Sequence, residues 1–166
     1  MKALLLVVAA LTLAGCGAER PAAPAKDAGP RLPPRSGPAE RPPRLENGPP
    51  PAWIETERGA YWLSFSSYCW EAQRTALCAD FIAPADRHDL PSMRVRRGEV
   101  VRFHLAFRPA EVSLQFFSKG GSPAGFSLEP RRVMSWTVER GGPMSLLARA
   151  PKAGDASYVA ILVLRD

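Results

Sequence analysis

The sequence predicts an all-β domain, an antiparallel β-sandwich, preceded by a long segment that cannot fold by itself. Three observations carry this. Every Trp, Tyr and Phe lies beyond residue 52. Past that point apolar residues recur with period two, broken by Gly, Pro and Asp turns, the pattern of half-buried strands. No stretch of 53–166 repeats apolar residues at helical spacing with caps at its ends.

The strands follow in order. Tyr61, Leu63 and Phe65 alternate in a first strand, and Leu77 to Ile82 gives a second. Between them, Glu71 to Leu77 is the one stretch suited to a helical turn. Met93 to Arg97 is short and ends in the Arg97-Gly98 turn. Glu99 to Phe107 is the clearest strand: Val101, Phe103, Leu105 and Phe107 face one way, Arg102 and His104 the other. Pro109-Ala110 turns the chain into Val112, Leu114 and Phe116, and Gly120-Gly121 and Gly125 break it. Met134, Trp136 and Val138 mark a further strand, followed by Met144 to Ala148. Ser157 to Leu164 is apolar on both faces, as a central strand is. Seven to eight short strands at this spacing predict an immunoglobulin-like sandwich, with a small barrel as the alternative.

The start of the chain has a different character. Lys2 precedes an apolar run from Ala3 to Leu13, interrupted by Thr12. About twenty residues are needed to span a bilayer as a helix, so this run reads as a secretory signal. It ends in Leu13-Ala14-Gly15-Cys16, which resembles the bacterial lipobox. Small side chains let a lipid transferase and a signal peptidase grip extended backbone, and the thiol takes the lipid. Residues 1–16 are thus expected to be a lipoprotein signal peptide, with Cys16 as the lipidated mature N-terminus. Acyl chains contribute roughly 0.8 kcal/mol per buried methylene, so the expected partner is a membrane. The expected location is its extracytoplasmic face.

Residues 17–52 hold eleven of the eighteen prolines, including Pro33-Pro34, Pro42-Pro43 and Pro49-Pro50-Pro51. Ala, Gly, Arg and Glu fill the gaps, so little apolar surface offsets the ordering entropy. This segment is expected to be a disordered Pro-rich tether. Fully extended it reaches about 110 Å. Residues 53–166 are expected to be the sandwich.

Arginine supplies 18 of the 22 basic residues. Residues 53–166 carry fifteen Lys/Arg against twelve Asp/Glu, so the folded part is only mildly basic. A nucleic-acid binder concentrates its basic residues on one element. The densest group, Arg94, Arg96 and Arg97, suits a solvated strand edge or turn, or contact with an anionic envelope polymer. No nucleic-acid partner is expected.

There are three cysteines. With lipid on Cys16, Cys69 and Cys78 remain. An oxidising compartment favours a disulfide between them. The competing reading, a redox or metal pair, lacks both the usual two-residue spacing and nearby ligands. Closing so short a loop is worth roughly 2–3 kcal/mol.

The cysteines also sit in a recognisable order. It runs Ser67-Tyr68-Cys69-Trp70, Cys78-Ala79-Asp80, Leu90-Pro91, then Val95, Gly98, Val101, Phe103, Pro109 and Val112. It closes with Ser157-Tyr158, Ile161 and Val163. Over residues 58–165 this resembles a group of small bacterial lipoproteins, common in Gram-positive lineages, with an exported β-rich domain of no assigned activity. The resemblance implies a cell-envelope protein and carries no catalytic residues with it.

The residues offer little chemistry. His88 lies in the Pro-bounded loop Asp86-Arg87-His88-Asp89, and His104 falls on the outer face of its strand. There is no Gly-x-Ser-x-Gly elbow, no zinc spacing and no phosphate-binding Gly loop. No catalytic residue, metal site or cofactor is expected. Asp80, beside Phe81 and Ile82, suits a carboxylate that fixes a turn, or a ligand contact beside Trp70. Exposed aromatics bind sugars or peptides, whereas Trp62, Trp70 and Trp136 also suit a core. The expectation is a non-enzymatic envelope module that binds or scaffolds. The alternative is a protease-inhibitor-like or other protein-partner sandwich acting through the loop Lys119 to Phe126.

Overall fold

The computed structural model describes residues 37–119 and 122–165. The signal segment, Cys16 and tether residues 17–36 lie outside them. The described residues form eleven strands in two sheets and no α-helix.

The smaller sheet holds β1 (Ala52–Thr56), β2 (Gly59–Trp62), β6 (Val100–Leu105) and β9 (Val133–Thr137), in the order β2-β1-β6-β9. The larger holds β3 (Ser64–Ala72), β4 (Thr75–Ala79), β5 (Ser92–Arg96), β7 (Glu111–Phe116), β8 (Ala124–Leu128), β10 (Gly142–Ala150) and β11 (Gly154–Arg165). Its order is β4-β3-β11-β10-β7-β8. β3 pairs antiparallel with the first half of β11, and β5 pairs parallel with its last residues, Ile161 to Arg165. Every other pairing is antiparallel. The pair β6-β9 and the run β11-β10-β7-β8 follow the strand order of an immunoglobulin sandwich. β2, β3 and β4 are an excursion between β1 and β5.

Alternation explains the layering. Val101, Phe103 and Leu105 of β6 are buried together with Ile54 of β1 and Met134 and Trp136 of β9. From the other sheet they meet Val112, Leu114 and Phe116 of β7, Leu146 of β10 and Tyr158 of β11. Each large apolar side chain buried this way contributes roughly 1.5–3 kcal/mol. β11 is the central strand expected of Ser157 to Leu164, hydrogen-bonded on both sides.

Several details differ from the sequence expectations. There are eleven strands, not seven or eight. The run through Tyr61, Leu63 and Phe65 is two strands in different sheets. The chain crosses between them at buried Leu63, whose N–H donates to the Ala52 carbonyl at 3.0 Å. Glu71 to Leu77 is no helical turn: β3 runs to Ala72, and Gln73 and Arg74 reverse the chain into β4. Both turn residues have positive φ, 51° and 67°, the hand of a two-residue hairpin turn matched to strand twist. Gly125 does not break the chain. It lies within β8, where a Cβ would stand 2.9 Å from the Gln115 side chain, so glycine permits close pairing.

Contacts with the sandwich also begin upstream of Trp53. Residues 37–51 form no strand or helix, yet they are held at several points. Gly37 lies beside the Trp53 indole, the Trp62 Nε1–H donates to the Glu40 carbonyl at 2.9 Å, and Leu45 packs on the core. The Tyr158 hydroxyl, deep between the sheets, donates to the Pro50 carbonyl at 2.7 Å. That burial pushes the Tyr158 pKa above the usual tyrosine range.

Candidate functional site

β1 and β6 run antiparallel with Trp53 opposite His104 and Glu55 opposite Arg102. Ile54 and Phe103 point into the core, so these four side chains share the outer face. The register therefore assembles one cluster from two short alternating runs.

Its geometry is tight. The Trp53 and His104 rings stack with centroids 3.5 Å apart and planes within 5°. Glu55 Oε2 lies 3.3 Å from His104 Nε2 and 3.6 Å from Arg102 Nη1. Glu55 is only 4% exposed. Its other oxygen, Oε1, is buried and makes no hydrogen bond among the described residues. Desolvation by burial lowers the His104 pKa below its ordinary value, outweighing the opposing pull of Glu55. Chemically, this sets an acid beside an imidazole and a guanidinium, with an indole stacked on the imidazole. Among the described residues no hydroxyl or thiol is hydrogen-bonded to His104.

Glu99 shows what full compensation looks like. It is also buried, but its two oxygens accept from the backbone N–H groups of Glu57 and Arg96, at 2.7 and 2.9 Å. It ties the turn after β1 to the end of β5.

The residues singled out from the sequence fall elsewhere. Trp70 is 7% exposed and packs edge-on against Phe107, so it is core. Trp136 is buried against Phe116 and Phe126, whereas Trp62 and Trp53 are half-buried. Asp80 is exposed, and among the described residues its side chain makes no hydrogen bond or ion pair. It lies just past the last β3–β4 pair, Tyr68 with Ala79, whereas Trp70 pairs with Leu77. Strand alternation turns Trp70 and Asp80 to opposite faces. They form no common ligand contact, and Asp80 fixes no turn through its carboxylate. Cys69 and Cys78 are directly opposed in this hairpin and joined as a disulfide.

The loop with His88 is organised by Arg87. Its guanidinium pairs with Asp89 at 2.6 Å, donates to the Phe65 carbonyl and lies over the Phe81 ring. The pairing raises the Arg87 pKa and lowers that of Asp89. Among the described residues no group of three His, Cys, Asp or Glu is placed to hold a metal ion. Arg94 and Arg96 project from β5, Arg96 lies 3.7 Å from Glu57, and Arg97 donates to the Glu139 carbonyl. Two depressions open on the surface. One of about 560 Å³ is lined by Arg108, Glu129, Pro130, Arg131 and Arg132. One of about 370 Å³ lies over Ser113, Leu147, Asp155 and the ion pair of Glu111 with Arg149. The loop proposed for a protein partner is shorter than expected, because Ala124 to Phe126 belong to β8.

Sequence reasoning placed His104 on the outer face but missed Glu55 and Trp53. The usable signal was the matched alternation Trp53-x-Glu55 and Arg102-x-His104. Its reading required the β1–β6 pairing, which joins residues 49 positions apart. No protein-family model, curated protein or solved structure matches the chain.

Proposed function

We propose that this protein is an extracytoplasmic module, lipid-anchored to the cell membrane through Cys16, that binds or scaffolds at the envelope without catalysis. The observation that carries the reading is the cysteine arrangement. Cys69 and Cys78 are exposed and bonded to each other on a surface hairpin. A surface disulfide suits an oxidising compartment and would be reduced in most cytosols. The third cysteine then stands alone at the end of Leu13-Ala14-Gly15-Cys16, where a lipid is attached in the small bacterial lipoproteins that the domain resembles. The sandwich supports a binding role, because Trp53, Arg102 and His104 lie together and partly exposed on its outer face.

Fractionation of cells tests the anchor. The wild-type chain is expected with membranes and in the detergent phase. Cys16→Ser is expected in the soluble fraction. Membrane association retained by Cys16→Ser would remove the lipid from this reading.

A further inference from the structure

β4 is an end strand, hydrogen-bonded only to β3. Thr75 to Cys78 are exposed and Ala79 is half-buried. The strand reads Thr-Ala-Leu-Cys-Ala, with none of the charges or prolines that guard natural sheet edges against pairing.

The hairpin register shows which backbone groups are free. Cys69 and Cys78 are direct partners with Cα atoms 4.1 Å apart. That is the close spacing of a non-hydrogen-bonded pair, whose N–H and C=O groups point away from each other. The N–H and C=O of Cys78 therefore face outward, and so do those of Ala76 two positions earlier. Four backbone groups are presented along an edge that the disulfide holds in place.

We propose that β4 pairs with β4 of a second copy of this chain, antiparallel about a two-fold axis at Leu77. In that register Ala76 of each copy meets Cys78 of the other, and the four outward groups close four hydrogen bonds. Leu77 meets its own symmetry mate. It is 37% exposed, and its side chain lies at the close-approach position of the new ladder. The flanks are complementary as well. Arg74 of one copy falls beside Asp80 of the other, at both ends. Both residues are exposed, and neither has an ion-pair partner among the described residues. At the opposite end of the same sheet, self-pairing of β8 about Phe126 would set Glu129 against Pro123, with no such match. The two-fold contact is isologous and closes at a dimer. It is small, so the dimer is a weak one.

Sedimentation velocity of the full chain in detergent, over a wide range of protein concentration, tests this. The wild-type chain is expected to dimerise reversibly. Asp80→Arg faces Arg74 with like charge at both ends and is expected to weaken the dimer on the order of tenfold. Arg74→Asp combined with Asp80→Arg reverses both pairs and is expected to restore it. Aspartate tolerates the positive φ at position 74. Each variant's melting temperature shows whether it folds. As a second measurement, Leu77→Cys is expected to give a covalent dimer on a non-reducing gel. A chain monomeric throughout, a dimer indifferent to Asp80→Arg, or a double variant that fails to restore it would overturn the proposal. So would a folded Leu77→Cys protein that does not crosslink.

Discussion

On the outer face of the four-stranded sheet, a carboxylate is buried among partly exposed partners. On β4, charge is absent and the backbone is bare. Glu55 is buried beside one imidazole and one guanidinium, all from β1 and β6. The β3–β4 hairpin owes its shape to a covalent clip and to two turn residues in the left-handed region. The first region depends on electrostatic compensation and the second on a constraint in the chain. They should therefore respond to different perturbations.

The largest effect separates them directly. Replacing both Cys69 and Cys78 with alanine is expected to lower stability by roughly 2–3 kcal/mol in urea denaturation. The loss should appear first as faster amide exchange along β4. An unchanged denaturation midpoint would mean that the hairpin needs no clip.

Arg102→Met keeps the aliphatic stem over the sheet and removes the charge. Glu55 is then left with His104 alone. Truncating one partner of a buried pair is costly, but Arg102 is one-quarter exposed, so a discounted loss of about 2 kcal/mol is expected. Amide exchange on β4 should not change. A loss spread evenly over both regions would mean that the two sheets unfold only together.

The smallest effect is a slope with pH. The folded state lowers the His104 pKa below 6.5, so between the two values the unfolded chain binds more protons. Stability from this group is complete above about pH 6.5 and is lost as pH falls through the folded value. The melting temperature should fall on acidification through this range, and His104→Gln should flatten that fall. The Cys69→Ala/Cys78→Ala variant should keep the wild-type slope. A slope that survives His104→Gln would assign the proton to another group.

Much of the sandwich was legible because burial writes itself as alternation. Val101, Phe103 and Leu105 are visible as a strand in isolation, and Cys69 with Cys78 is visible as a pair by count. What was not legible depended on register or on neighbours distant in sequence. β1 begins directly after three prolines, so Ala52 falls in the expected tether and Ile54 in no expected strand. β8 was hidden by Gly125, which reads as a break until Gln115 is seen pressed against it. Trp70 and Asp80 sit close in sequence, yet the hairpin turns them to opposite faces. The Glu55 cluster requires two strands to be aligned before any of its members looks unusual.

The held segment also has a mechanical consequence. A pull on the N-terminal chain reaches Ala52 only after passing Pro50, Leu45, Glu40 and Gly37. Their contacts with Tyr158, the core, Trp62 and Trp53 lie in series along the load path. Peeling residues 37–51 would release on the order of 50 Å of chain, leaving both sheets intact. The domain thus carries a short extensible lead that can absorb a tug and re-seat when the tension falls.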